Sequence, residues 1–257
     1  MIRGLYTSAS SMLNSQKKMD IITNNLANSS TTGYKKDIAV SQSFPELLTK
    51  RINDIKNGQP ANANIGTMRL GSDVVEIHTD FTQGTLIRTD SPTDISIRNS
   101  DTAFFAVSVP GEGGEQEMYT RNSSWVIDGE GYLTTREGYR IFGNDGYIQV
   151  ASDNFHVQED GSIYLDNAYV DTLRIVEFGD TTDFEKFGNN VLQAPEGAIT
   201  QPFSGQVAQG FIESSNINSI EEMVGMINVM RSYEANQKII KAYDDTLEKV
   251  INEVGKT

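Results

Sequence analysis

Apolar residues recur at a spacing of seven near the start of the sequence, at Leu5, Met12, Met19 and Leu26. The same face is widened by Ile2, Ala9, Leu13 and Ile22. Because residues three, four and seven positions apart share one face of an α-helix, this spacing predicts an amphipathic helix of about 25 residues. We call the four residues at the spacing of seven the N-terminal stripe.

A second heptad pattern lies near the other end of the sequence, at Met226, Tyr233, Ile240, Leu247 and Val254. Apolar or aromatic residues also stand three positions after these, at Val229, Tyr243 and Val250, and the remaining position of that set is Asn236. We call these nine positions the C-terminal seam, a pattern typical of a coiled coil with one buried polar residue. Ser219 followed by Glu222 matches a capping box, so the helix is predicted to run from about residue 219 to about residue 253.

The two predicted helices allow two interpretations. They form the two sides of an intramolecular hairpin, or they pack against neighbouring subunits. Each apolar face is longer than one short partner covers, and the middle of the chain shows no helical pattern of comparable length. Some apolar surface is therefore expected to remain for neighbouring subunits.

The middle of the chain is predicted to form short β-strands. Turn signals alternate there with branched and aromatic residues, as at Asp128-Gly129, Glu137-Gly138, Asn144-Asp145-Gly146 and Asp160-Gly161. All prolines lie between Pro45 and Pro202. The fold class is therefore α+β, with paired long terminal helices resembling a coiled coil and a mainly β middle. The predicted segments are 1–57 (N-terminal helix and the residues after it, pairing with the C-terminal helix), 58–209 (β-rich) and 210–257 (C-terminal helix).

Charge follows the same division. Residues 1–57 carry eight basic and four acidic side chains, residues 58–209 carry eight and 23, and residues 210–257 carry five and eight. The net charge of −14 gives a long-range field that repels nucleic acid and anionic membrane surfaces. Proteins are therefore the expected partners, with no nucleic acid and no direct membrane insertion.

The composition also restricts the chemistry. The 257 residues include no Cys and only His78 and His156, which removes disulfides, cysteine nucleophiles and the common zinc sites. We predict no catalytic, cofactor-binding or metal-binding residues. The sequence shows neither a secretory signal nor about 18 uninterrupted apolar residues, so no cleaved signal peptide and no membrane span are expected.

The most informative stretch follows the first predicted helix and reads Ala27-Asn28-Ser29-Ser30-Thr31-Thr32-Gly33-Tyr34-Lys35. We call it the signature segment. Asn, Ser and Thr compete for backbone hydrogen bonds and end helices, and Gly33 permits a positive φ. On these grounds the segment is a helix stop followed by a turn.

The signature segment resembles the A-N-x-x-T-x-G-Y-K pattern of the flagellar rod and hook protein family, with Thr32 one place later than in the commonest form. Further blocks are similar to that family in the same order, at Met1 to Met12, Asp80 to Leu86, Phe104 to Val107, Tyr119 to Arg121, Gly131 to Leu133, Gln209 to Asn218 and Arg231 to Asn236. Departures fall at Ile97 to Ala103, where the family has a Gly-containing turn, and at Asn122 to Trp125.

The resemblance implies a structural subunit of the bacterial flagellar basal-body rod, located in the cell envelope. It implies export through the flagellar type III apparatus without cleavage and helical polymerisation with identical subunits and other rod and hook proteins. It also implies that the terminal helices form the inner layer. The modest length argues against the hook protein, and the long middle argues against the small proximal rod proteins. The distal rod protein and its close proximal-rod relative both stay open. The assembly and signature residues are then Asn25, Ala27, Asn28, Thr32, Gly33, Tyr34 and Lys35, and the helix-packing residues are the N-terminal stripe with Met226, Tyr233, Asn236, Ile240, Tyr243 and Leu247.

Two other classes of function remain open from the sequence. A secreted adhesin or carbohydrate-binding module explains an acidic β middle if its Tyr residues and Trp125 are exposed, but it does not explain the terminal heptads. An acid-dependent hydrolase requires a pocket with two carboxylates, and the sequence specifies none.

Overall fold

The computed structural model of the protein describes residues 2–50, 55–56, 59–60, 64–111, 114–152, 154–188 and 190–254. Its two described helices are α1 at Ile2–Ala27, with 26 residues, and α2 at Ser219–Val254, with 36 residues. The predicted order of helix, β-rich middle and helix is confirmed. The side chains of Ile2 and Val254 lie outside the described set.

The strands are numbered in chain order. The first eleven described strands are β1 (Lys36–Ser43), β2 (Leu47–Lys50), β3 (Ile55–Lys56), β4 (Gln59–Pro60), β5 (Asn64–Met68), β6 (Ser72–Asp80), β7 (Leu86–Arg88), β8 (Ile95–Arg98), β9 (Ala103–Gly111), β10 (Gly114–Thr120) and β11 (Trp125–Ile127). The others are β12 (Leu133–Thr135), β13 (Arg140–Ile141), β14 (Phe155–Val157), β15 (Ser162–Leu165), β16 (Ala168–Thr172), β17 (Ile175–Phe178), β18 (Glu185–Lys186), β19 (Val191–Gln193), β20 (Thr200–Gln201), β21 (Gln206–Gln209) and β22 (Phe211–Glu213).

The chain forms two compact units. The helical unit comprises Met1–Leu26, Asp37–His78 and Ser219–Thr257, and the β unit comprises Ala27–Lys36 and Thr79–Asn218. The chain passes from one unit to the other four times, and the signature segment belongs to the β unit. The three-segment division at residues 57 and 209 stays a prediction.

The β unit is organised around β9. This strand pairs antiparallel with β10 on one edge, and with β13 and β17 on the other. Every residue from Ala103 to Val109 is buried, so both faces of the strand are covered. Because successive side chains alternate between faces, Phe105 enters the larger apolar core and Phe104 enters a second cluster with Phe81, Phe178, Phe184 and Leu192.

Smaller sheets complete the β unit. Strands β14, β15 and β16 form a meander, β8 pairs with β21, and β7 pairs with β22. Trp125, at the start of β11, is only 1% exposed, stacks edge-on against Phe105 and donates its indole N–H to the carbonyl of Asn122 at 2.8 Å. The expectation of an exposed Trp125, on which the adhesin alternative depended, is therefore wrong.

In the helical unit, α1 contacts the ribbon formed by β1 and β6 through polar side chains. The Ser10 hydroxyl donates to the carbonyl of Ser72 at 2.8 Å, and the Asn14 amide donates to the Ser72 hydroxyl at 3.1 Å. Lys17 forms a surface ion pair with Asp73 at 2.8 Å. The face of α1 that is covered by the ribbon is therefore polar, although the sequence pattern emphasised its apolar stripe.

The two helices contact each other at positions that run in opposite chain directions. The Asn236 amide donates to the Ser11 hydroxyl at 2.9 Å, and the Asn25 amide donates to the Glu222 carboxylate at 3.4 Å. A late residue of α2 thus meets an early residue of α1, and an early residue of α2 meets a late one, so the helices lie antiparallel.

Candidate functional site

The signature segment turns sharply after α1 ends at Ala27. The amide of Thr31 donates to the carbonyl of Asn28 at 3.0 Å, and the amide of Tyr34 donates to the carbonyl of Thr31 at 3.4 Å. The Thr31 hydroxyl also lies 3.3 Å from the side-chain oxygen of Asn28. These local bonds form the turn that the sequence predicted, and Ala27 itself is exposed.

Gly33 is required at its position for two independent reasons. Its φ of 68° lies in the left-handed region, which side chains with a Cβ rarely adopt. A Cβ built there would also overlap the backbone carbonyl of Arg121 and approach the amide nitrogen of Asn122 to 2.7 Å. Because both obstacles are backbone atoms, they cannot move aside as a flexible side chain would.

Below this turn lies a buried charge cluster of Lys35, Arg121 and Glu213. The Lys35 ammonium lies 2.6 Å from one carboxylate oxygen of Glu213, and the Arg121 Nε lies 2.6 Å from the other. The three side chains are 3%, 1% and 1% exposed, in the order Lys35, Arg121 and Glu213. Such charges are tolerated in an interior only when they are paired and hydrogen-bonded, and here both oxygens of the carboxylate face a cation.

The backbone completes the cluster. The Arg121 guanidinium donates to the carbonyl of Ser100 at 2.5 Å and to the carbonyl of Ala103. The amide of Gly84 donates to the Glu213 carboxylate at 3.0 Å, and the Lys35 ammonium donates to the carbonyl of Thr82 at 2.7 Å. The cluster therefore joins five separate stretches of the chain, at residues 35, 82–84, 100–103, 121 and 213.

Burial acts differently on the two titrating members of this cluster. Burial lowers the pKa of Lys35 below its ordinary 10.5; attraction to Glu213 opposes this shift, and the positive charge of Arg121 adds to it. Burial alone would raise the pKa of Glu213, but Arg121 and Lys35 together outweigh it and hold that pKa below 4.5. Glu213 is thus the anion that two cations share.

The rest of the signature segment is held by side chains of the β unit. The Thr32 hydroxyl donates to the Asn122 side chain at 2.8 Å, and Asn190 donates to the Thr32 carbonyl at 2.7 Å. Lys186 donates to the carbonyl of Lys35 at 2.8 Å, and its ammonium lies 4.4 Å from the ring centroid of Tyr34. Tyr34 is 8% exposed, so the segment is seated in the β unit.

Asn216 fastens the same region from the C-terminal side. Its side chain accepts a hydrogen bond from the amide of Lys36 at 2.9 Å and donates to the carbonyl of Asp80 at 2.8 Å. Lys36, Asp80 and Asn216 each stand within two residues of a point where the chain passes between the two units. These passages are therefore tied together on the β-unit side.

In the helical unit, Asn25 ties the end of α1 to the start of β1 by hydrogen bonds. It is 1% exposed, donates to the carbonyl of Asp37 at 2.8 Å and accepts from the amide of Asp37 at 3.0 Å. Such a two-way amide pairing fixes the entry of β1 relative to the end of α1.

The predicted helix-packing residues are mostly half-buried. This holds for Leu5, Met12, Met19, Leu26, Met226, Tyr233, Asn236, Ile240 and Tyr243, whereas Leu247 is 38% exposed. A Cβ at Gly4 would overlap the hydroxyl of Tyr243, which places that seam residue against α1. Leu13 was expected to widen the stripe but is 61% exposed, because it lies on a face of α1 that the described residues do not cover.

Sequence reasoning did not single out Arg121, Glu213 or Asn216, although each lies in a block that resembles the rod and hook family. The available signal was Glu213 itself, a charged residue closing the strand Phe211–Glu213, whose side chain is buried.

Asn99 explains one departure from the family pattern. Its φ of 60° is the conformation that a glycine usually supplies in a turn, and Asn tolerates it better than most residues.

Among the described residues, no group of three or more His, Asp and Glu side chains is placed to hold a metal ion. Neither described helix combines the length and apolar character needed to cross a membrane. What the site does in physical terms is hold distant chain segments in one place.

Comparison with known proteins gives three matches to family profiles. The profile described as flagella basal body rod protein matches residues 5–35, the flagellar hook protein FlgE/F/G D1 domain matches 100–165, and the flagellar basal body rod FlgEFG protein C-terminal profile matches 208–253. The charge cluster takes one residue from each matched region.

Individual relatives match along nearly the whole chain. A flagellar hook-basal body complex protein, FlhO of Bacillus subtilis, is 31% identical over 100% of both chains. The flagellar basal-body rod protein FlgG of Buchnera aphidicola is 32% identical over 97% of this chain and 99% of its own. FlgG of Bacillus subtilis is 30% identical over 98% and 99%.

The fold and the site define the class of the protein: a two-unit α+β chain in which buried charges join distant segments. The chain belongs to the family of flagellar basal-body rod and hook proteins, as a structural component of the rod. That family is structural and not enzymatic.

Proposed function

We propose that this protein polymerises helically into the rod of the flagellar basal body, the drive shaft that links motor to hook, with its terminal helices pairing in the manner of a coiled coil. Six seam positions are half-buried, at Met226, Val229, Tyr233, Asn236, Ile240 and Tyr243, and all of them except Met226 lie between exposed neighbours. This pattern supports the pairing of α2 with α1 along the seam.

The observation that carries the proposal is a second apolar stripe on α2. Met223, Ile227 and Met230 are 50%, 51% and 45% exposed, and their spacing of four and three places them on one face beside the seam. A contiguous exposed apolar surface of this kind marks a protein interaction site. A second copy of the chain is the partner that a self-assembling family supplies.

The remaining partners follow from the same assignment. Identical subunits, other rod and hook proteins and the flagellar export apparatus are the proposed partners, with export proceeding without a cleaved signal peptide. The net charge of −14 argues against nucleic acid and against direct insertion into an anionic membrane. Asn25, Ala27, Asn28, Thr32, Gly33, Tyr34 and Lys35 are proposed to serve assembly by holding the chain at its passages between the units.

Electron cryo-tomography of cells that lack the gene tests this function. The rod role requires that such cells form no complete flagella and that the wild-type gene restores them. Normal flagella in the deleted strain would contradict the rod role. As a second measurement, the purified chain is expected to be monomeric and to yield a protease-resistant core from about residue 70 to about residue 205, because helices without their neighbours lose the contacts that order them.

A further inference from the structure

The contacts around the signature segment divide into two sets that meet at Glu213. Arg121 is held by the carbonyls of Ser100 and Ala103 and by the Glu213 carboxylate. Glu213 is held in addition by the amide of Gly84, and its own amide donates to the Ser123 hydroxyl at 2.8 Å. None of these bonds involves the signature segment.

The signature segment adds a second set of contacts on top of the first. Gly33 donates its amide to the carbonyl of Glu213 at 2.8 Å, Thr32 bonds Asn122 and Asn190, and Lys35 reaches the shared carboxylate. Residues 28–35 belong to no strand, so these contacts are not part of a sheet ladder. They can break without disrupting any strand pairing of the β unit.

Charge balance also indicates that the signature segment can leave the cluster without disrupting the β unit. The cluster holds two cations and one carboxylate, and the pair of Arg121 and Glu213 is neutral without Lys35. Withdrawal of Lys35 therefore leaves no buried carboxylate without a partner, which is the situation that makes broken buried ion pairs costly. The Lys35 side chain is only 3% exposed, so its ammonium is desolvated when it is seated.

We propose that the β unit contains a preformed peptide-binding socket, built by Gly84, Arg121, Asn122, Lys186, Asn190 and Glu213, whose ligand is the Thr32–Lys35 part of the signature segment. The socket binds this peptide from its own chain, and it also accepts the signature segment of a second copy when its own is displaced. Recognition depends on a glycine with positive φ over the Arg121 carbonyl and on a lysine ammonium two residues later. The inference concerns docking within the β unit and does not depend on the assignment to the rod.

The test uses the full chain with Gly33→Val, whose own segment cannot seat against the Arg121 backbone. The probe is a fluorescent peptide of residues 27–36 with blocked ends, and its binding is followed by anisotropy. We expect saturable binding to the variant and binding weaker by about tenfold or more to the wild-type chain, whose own segment occupies the socket at high effective concentration. Control peptides carrying valine for the glycine, or methionine for Lys35, are expected to lose about tenfold or more.

A measurement on the wild-type chain makes the test independent of how the variant folds. Hydrogen exchange of the fragment covering residues 28–36 is followed while unlabelled peptide is added in excess. Faster exchange with the wild-type peptide, but not with the valine peptide, supports a socket that exchanges its ligand. The proposal is overturned if exchange is the same with both peptides, or if a folded Gly33→Val chain binds both peptides equally or neither of them.

Discussion

The Lys35 ammonium and the Glu213 carboxylate lie 2.6 Å apart although 178 residues separate them in sequence. The first residue closes the signature segment, and the second closes the last strand before α2. Arg121 connects the same carboxylate to the central sheet through the backbone of Ser100 and Ala103. The segments that lead to both helices are therefore fixed by one buried anion.

Gly33→Val is expected to abolish assembly while leaving most of the β unit folded. The substitution combines an unfavourable φ with overlap of the Arg121 carbonyl, whereas the cores of the β unit are built from other residues. Incorporation into rods and the melting temperature of the β unit are measured together.

Gly138→Val is the matched control for this substitution. Gly138 has a φ of 92°, but nothing lies within 4 Å of the position its Cβ would occupy, so it carries the backbone strain without the overlap. Assembly should survive in this control. Wild-type motility of the Gly33→Val strain would show that the overlap has no role in assembly.

Glu213→Gln is expected to destabilise the β unit by about 3–5 kcal/mol at neutral pH, because it leaves Arg121 and Lys35 buried without their anion. The pKa of Glu213 is lower in the folded protein than its ordinary 4.5. The stabilisation that ionised Glu213 gives to the folded protein is therefore complete above its ordinary pKa of 4.5. It is lost as the pH falls through the lowered pKa of the folded protein. Denaturant melts of both proteins across this range should show a gap that narrows in acid.

Glu130→Gln provides the control for this pH dependence. Glu130 pairs with Arg140 at 2.8 Å at the surface, and its side chain is 70% exposed. An exposed pair contributes only about 0–1 kcal/mol, so this variant should melt close to the wild type. A gap for Glu213→Gln that stays constant in acid would mean that the carboxylate charge does not stabilise the fold.

Local patterns in the sequence were sufficient to predict both helices, whereas coiled-coil pairing along the seam of α2 stays a prediction. The heptad positions Tyr233 and Ile240 are half-buried between exposed neighbours, as a period of seven requires. The positive φ of Gly33 was predicted from the turn chemistry of the signature segment. In each case the cause lies within a few residues of its effect.

The charge cluster could not be predicted in this way. Glu213 meets partners 92 and 178 residues away, and no local period records such a pairing. Amphipathic reasoning also misplaced part of α1. Its most buried side chains include Ser8, Asn14 and Ser15, because part of its covered surface faces the polar side chains of a β ribbon, and periodicity in hydrophobicity does not reveal a polar partner.

Asn236→Leu is expected to strengthen helix association and to reduce its fidelity. The Asn236 amide donates to the Ser11 hydroxyl of α1 at 2.9 Å, and this bond ties the register of α2 to α1. Leucine removes this constraint and adds apolar surface, which favours aggregates or misassembled polymer. Electron microscopy of basal bodies isolated from cells that express the variant measures rod assembly, and sedimentation of the purified variant measures aggregation. Asn228→Leu, at an exposed position outside the seam, should assemble normally; regular rods from Asn236→Leu would show that another residue sets the register.

Ile240→Pro separates the role of α2 from that of the β unit. Proline removes one helical hydrogen bond and clashes with the preceding turn, at a local cost of about 3 kcal/mol or more, and it deletes a central seam side chain. The β unit should melt almost unchanged, because its two apolar clusters lie within its own residues. The subunit should nevertheless fail to incorporate, and the cells should be non-motile.

Two alanine variants show whether the side chain or the helix is responsible. Ile240→Ala keeps the helix and removes the half-buried seam contact, so it should weaken incorporation partially. Ile239→Ala changes a neighbour that is 45% exposed and lies outside the seam. It tests whether removing any apolar side chain from α2 weakens incorporation as much as removing the side chain of Ile240. Motility retained by Ile240→Pro would contradict the proposed role of α2 in assembly. A β unit that loses its melting transition in step with motility would show instead that the helix and the β unit fold as one cooperative unit, since damage confined to α2 cannot otherwise reach clusters that contain none of its residues.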